Sequence, residues 1–130
     1  MSRGYLLDTN TVLWWFFGAE LLSYHSFEAI ADRSIDVYVS AVSAMEIATK
    51  FRIGKLGLAA PLAGKFAEVT AEEGFRPLPL KPEHGDLAGS FPSPHQDPWD
   101  RLLAAQALIE DLALITNDRE METFGIKPFW

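Results

Sequence analysis

The stretch YLLDTNTVLWWFFG, Tyr5 to Gly18, decides the fold. Tyr5 to Leu7 is a short apolar strand, Asp8-Thr9-Asn10 supplies capping side chains, and a helical pattern follows through Trp14 and Trp15. The stretch is therefore a strand, a turn and a helix, with one carboxylate set at the junction between two apolar runs. A carboxylate in such surroundings costs several kcal/mol unless it is paired or binds a cation. Asp8 has two readings: it caps the helix, which Thr9 or Asn10 could do equally well, or it is kept for chemistry.

The same cycle repeats along the chain. Phe27 to Ala31 reads as a second helix, and Asp36 to Ser40 (DVYVS) has the β-branched and aromatic content of a strand. Ser43 opens a helix that carries Glu46, Ile47 and Lys50 and ends near Gly54. Leu62, Phe66 and Val69 give helical spacing to residues 62–73, and Arg76-Pro-Leu-Pro-Leu reads as an edge strand. Residues 85–98, with Gly, Ser and three prolines, read as a loop. Pro98 suits a first helical turn with Asp97 as its N-cap; Leu102, Ala105, Ile109 and Leu112 continue that helix, and Leu112 to Thr116 (LALIT) is a buried-type strand. Strands alternating with helices predict a three-layer α/β domain, residues 1–130, with a mostly parallel central sheet and helices on both faces.

At 130 residues, 48% apolar, the chain builds a full core unaided. It has no cysteine, which suits a reducing cytoplasm and leaves only oxygen or imidazole to hold a metal. The run Val12 to Ala19 is too short to span a bilayer, which takes about 20 residues, so a cytoplasmic protein without a membrane segment is expected. A formal charge of −7 argues against a general nucleic-acid coat. The objection is local, because acids gathered around divalent cations turn an acidic pocket into one that attracts phosphate.

Four acids stand where that can happen. In open parallel sheets the ligand crevice lies beyond the carboxyl ends of the strands. Asp8 and Asp118 follow strands at that end, and Glu46 and Asp100 are placed in the first turns of helices leaving the same edge. Four carboxylates so close repel unless cations separate them. All-oxygen donor sets select Mg²⁺ or Mn²⁺, ions suited to phosphodiester hydrolysis.

Each acid also has a structural reading. Ser43-Ala-Met-Glu46 fits a capping box and Lys50 stands four residues on, so spacing alone leaves Glu46 evenly divided. Asp118 follows Asn117 in what is equally a turn, and Asn10 and Thr116 are either polar caps or positioning neighbours. Asp97 is expected to cap its helix and to act, if at all, from behind the site. His95, in the loop, reads as structural, and His25 and His84 offer less. Lys50, Arg52 and Lys55 form a basic cluster that reads as a solvated helix face rather than an RNA guide, and Arg101 and Arg119 stand beside site acids as charge balance. Trp14, Trp15, Phe16 and Phe17 are too many adjacent large groups for one helix face, so the excess is expected to point outward into a protein contact.

Taken together, LLDTNTVLWW, VSAVSAMEIATKFRIGKL, HQDPWDRLLAAQA and LALITND, in that order, followed by FGIKPFW, resemble the PIN-domain family, and within it the VapC-type toxins of toxin–antitoxin pairs. The resemblance implies a Mg²⁺- or Mn²⁺-dependent endoribonuclease, a homodimer, and an antitoxin partner whose tail covers the site. By position, the family's metal-site acids fall on Asp8, Glu46 and Asp100, with Asp118 as the more variable fourth. Met45 stands where many relatives have Trp, and Trp99 where Phe is usual. Two other classes fit less well. An aspartate-based phosphotransfer or phosphatase domain wants a second acid at position 10, which is Asn10, and a signal-receiver module wants acids before Asp8, where Leu7 stands. A non-catalytic PIN-like scaffold is the remaining alternative.

Overall fold

A computed structural model describes residues 2–130. Its strands are β1 (Gly4–Leu7), β2 (Val37–Ser40), β3 (Arg76–Leu78) and β4 (Leu112–Ile115), and its helices are α1 (Thr9–Phe17), α2 (Tyr24–Ala31), α3 (Ala41–Arg52), α4 (Phe66–Glu72), α5 (Pro82–Ser90) and α6 (Pro98–Ile109). Short 3₁₀ turns lie at Ala19–Leu21, Gly57–Ala59 and Arg119–Phe124.

The sheet runs in the order β3-β2-β1-β4 with every pairing parallel. Leu7 pairs with Ile115, and Leu6 with both Tyr38 and Leu114. Successive strand side chains point to opposite faces, so a parallel sheet covered on both sides needs apolar residues at every position. Leu6 and Leu114 accordingly enter one core with Leu103, Ala104 and Met121, while Leu7 and Ile115 enter the other with Val12, Ile30 and Ile47. The α/β fold with helices on both faces is as the sequence predicts. Among the described residues no helix is long and apolar enough to cross a membrane.

Four local expectations need correction. The third helix starts at Ala41 rather than Ser43, because the Ser40 hydroxyl accepts from Val42 N–H and caps it; the capping box at Ser43 does not form. Residues 62–73 are helical only over α4, since Gly64 takes φ 77° and interrupts the pattern. The expected loop at residues 85–98 begins as α5, with Pro82 in its first turn and the His84 ring turned back to accept from Lys81 N–H at 2.9 Å. Finally, the aromatic run of α1 is mostly absorbed within the chain. Trp14 meets Trp130 edge-on at 5.7 Å, Trp15 sits between Phe27 and Phe75, and Phe16 packs on Phe75, leaving Phe17 the exposed member at 38%.

The segment after Gly125 closes the outer edge of β4. Thr116 N–H donates to Phe129 C=O and Phe129 N–H to Leu114 C=O, both at 3.0 Å, and the Phe129 ring packs on Tyr5 and His25.

Candidate metal centre

The register of β1 against β4 builds the site. Because Leu7 pairs with Ile115, the first residues beyond the two strands, Asp8 and Thr116, emerge side by side, and Asp8 N–H still donates to Ile115 C=O at 3.2 Å. Asp8 is only 7% exposed. Its carboxylate is the N-cap of α1, accepting from Thr11 N–H at 2.7 Å, while the Thr11 hydroxyl donates to Ile115 C=O at 2.9 Å. Capping thus aims the carboxylate and does not replace the chemical reading. Burial pushes the Asp8 carboxyl above its ordinary value; hydrogen bonding from Thr116 and Thr11 opposes this, and the nearby charge of Asp118 adds to it.

Two residues past Thr116, Asp118 caps the 3₁₀ turn by accepting from Glu120 N–H at 2.9 Å, and its own N–H donates to the Thr116 hydroxyl at 3.0 Å. Thr116 is fully buried. Asp100 arrives from another direction, as the third residue of α6. Asp97 caps that helix, accepting from Trp99 N–H at 2.9 Å, and so turns Asp100 toward Asp118. Burial raises the Asp100 carboxyl to about 6, with the charges of Asp97 and Asp118 adding and a hydrogen bond from His95 opposing. Asn10 lies exposed in the first turn of α1.

His95, Asp100 and Asp118 present ligand atoms that all lie within 4.8 Å of one another. Asp8 adjoins this group through Asp118. Glu46 stands apart from it: it lies in the second turn of α3, not the first, is 6% exposed, and forms an ion pair with Lys50. The Thr9 and Ser43 hydroxyls, hydrogen-bonded at 2.9 Å, hold α1 against α3 and keep Glu46 on the face beside Asp8's helix.

The arginines expected to balance the acids do not. Arg101 spends its guanidinium on the carbonyls of Ala88, Phe91, Ser93 and His95, which fastens the loop before α6, and Arg119 pairs with Glu122. Among the described residues no lysine or arginine pairs with Asp8, Asp100 or Asp118. Three carboxylates gathered at the edge of a core without a fixed cation fit a hard divalent ion, and the imidazole beside them fits the same role.

Sequence reasoning passed over His95. Its Nε2 hydrogen-bonds Asp100 at 2.9 Å, and its Nδ1 lies 3.0 Å from a Glu120 carboxylate oxygen. The five-residue step from His95 to Asp100 was the one local signal, and Glu120 is too distant in sequence to have strengthened it.

The chain belongs to the PIN domain family, whose model matches residues 5–127. A protein named ribonuclease VapC22, from Mycobacterium tuberculosis, is 29% identical over 119 residues, covering 91% of this chain and 89% of the relative. Two solved structures share the fold. DNA-bound VapBC from Salmonella typhimurium matches with a TM-score of 0.65 at 22% identity, covering 96% of each chain. FitAcB from Neisseria gonorrhoeae matches with a TM-score of 0.64 at 24% identity, covering 97% of this chain and 96% of the other.

Proposed function

We propose that this chain is a divalent-metal-dependent endoribonuclease acting as the toxin of a toxin–antitoxin pair. The observation that carries the reading is the approach of Asp100 to Asp118 within 4.8 Å, with Asp8 at the end of β1 near enough to feel the charge of Asp118, and, among the described residues, none of the three paired with a lysine or arginine. The similarity to a protein named as a ribonuclease supports RNA as substrate.

Asp8, Asp100 and Asp118 would hold the ion, and Glu46, which stands apart and is paired with Lys50, would join them only on release from that lysine. A bound Mg²⁺ or Mn²⁺ supplies charge stabilisation at the scissile phosphate and activation of the attacking water. The chain's own residues fix that arrangement. Thr11 N–H orients the Asp8 carboxylate, Thr116 and the Glu120 N–H orient Asp118, and Asp97 sets the direction of Asp100 by capping α6. Asp100, held near 6, is ionised at neutral pH and ready to accept a cation.

The antitoxin partner and a homodimer belong to the same proposal. One solved structure of the same fold is a toxin–antitoxin complex from Klebsiella pneumoniae, and exposed Phe17, Leu21 and Tyr24 follow one another along the turn between α1 and α2, the kind of apolar surface that marks a protein contact.

The test is incubation of the purified chain with structured RNA in Mg²⁺ or Mn²⁺ and then in EDTA, beside Asp8→Ala. Internal cleavage that requires the ion and disappears in folded Asp8→Ala is the expected result. Cleavage that persists in EDTA, or undiminished activity in the variant, contradicts the reading.

A further inference from the structure

We propose that His95 is a nitrogen ligand of the metal centre, making it a mixed imidazole–carboxylate site that prefers Mn²⁺ to Mg²⁺. The inference rests on the metal-dependent reading above and goes beyond its four acids.

Three features separate His95 from an ordinary loop histidine. The first is placement: Nε2 lies 2.9 Å from Asp100 Oδ2, and the two share with Asp118 a space no more than 4.8 Å across. Neighbouring ligand atoms of an octahedral ion with bonds of about 2.1 Å stand about 3 Å apart. The ring therefore stands at the distance from Asp100 that a neighbouring ligand would take.

The second feature is orientation. Nδ1 lies 3.0 Å from Glu120 Oε2 on the far side of the ring. The Glu120 carboxylate favours a proton on Nδ1, so that an ion displacing the Nε2 proton meets the Nε2 lone pair beside Asp100 and Asp118, with a carboxylate behind the ring as is common for metal-binding histidines. Phe124 packs edge-on against the ring at 5.5 Å and sets its plane.

The third is that the backbone is fixed independently of the ring. His95 N–H donates to Ser93 Oγ at 3.1 Å, and Arg101 donates to His95 C=O at 2.7 Å while gripping Ser93 and Phe91 as well. Replacing the imidazole thus leaves the loop anchored. Imidazole is a softer donor than carboxylate or water, so its presence moves preference away from Mg²⁺ and toward first-row transition metals.

Mn²⁺ bound to the full-length protein reports its ligands directly through electron spin-echo modulation from ¹⁴N. The expected result is ¹⁴N modulation in the wild type that is lost in His95→Gln, together with a fall of about tenfold in the ratio of Mn²⁺ to Mg²⁺ affinity. Glu120→Gln should weaken Mn²⁺ binding while leaving the ¹⁴N signal present. If Mn²⁺ binds, is displaced in Asp100→Asn, and shows no ¹⁴N modulation, His95 is not a ligand and the acidic site stands without it. If the wild type binds no Mn²⁺ at all, both the ligand assignment and the metal-dependent reading fall.

Discussion

Replacing Asp100 by asparagine should stabilise the metal-free protein. The Asp100 carboxyl is raised from 3.8 to about 6, chiefly by burial. That rise corresponds to about 3 kcal/mol of penalty on the ionised form in the folded state. The side chain is 23% exposed, and solvent screening reduces that figure to about 1–2 kcal/mol. Below pH 4 the group is protonated in folded and unfolded chains alike, and the penalty is absent. Between about 4 and 6 the unfolded chain ionises while the folded one does not, so wild-type stability falls as pH rises; above 6 the loss is complete. Asparagine carries no charge and keeps a hydrogen-bonding atom toward His95. Thermal unfolding in EDTA should therefore give Asp100→Asn a midpoint about 4–8 °C above wild type at pH 8 and equal to it near pH 4. Saturating Mn²⁺ should reverse the order, since an ion that binds only the folded wild type adds stability by mass action. A variant less stable than wild type at pH 8 in EDTA, or a difference independent of pH, refutes the reasoning.

Three further outcomes follow from particular contacts. Glu110, held below its ordinary 4.5 first by the buried His84 ring and then by Lys81, adds stability that is present above pH 4.5 and is lost as pH falls through its lowered value. Glu110→Gln should thus lose stability at pH 7 and converge on wild type in acid, and urea titrations showing a constant gap would contradict this. A Cβ at Gly4 would lie 2.7 Å from the Asp36 carbonyl oxygen, so Gly4→Ala should cost about 1–3 kcal/mol by forcing β1 from β2; a loss under about 0.5 kcal/mol in urea denaturation is inconsistent with that contact. Thr116→Val removes the acceptor for Asp118 N–H at near-constant volume, and calorimetry should show Mn²⁺ affinity reduced about tenfold; unchanged affinity would make Thr116 merely a core residue.

What could be read from the sequence follows from where the deciding contacts lie. The strand, turn and helix at Asp8 and the strand at Leu112 were legible because a parallel sheet buried on both faces leaves an unbroken apolar run, as at Leu6-Leu7 and Leu114-Ile115. The topology rule for strand ends brought Asp100 toward Asp118, as they lie here, but it also placed Glu46 with them, and Glu46 stands apart, paired with Lys50. Helix α5 was not legible, since Gly85 and Gly89 weaken its local signal and its support comes from His84 reaching Glu110, 26 residues away. The aromatic run of α1 looked outward-facing because its covering partners, Phe75 and Trp130, are equally remote. Glu46 is the reverse case: its local partner Lys50 was visible four residues on, and the ion pair forms.

The central claim is that carboxylates distant along the chain close on one divalent cation. An anomalous difference map from crystals soaked in Mn²⁺ tests it most directly. The account requires a peak bounded by Asp8, Asp100 and Asp118, and well-diffracting crystals in which those side chains surround no peak would contradict it.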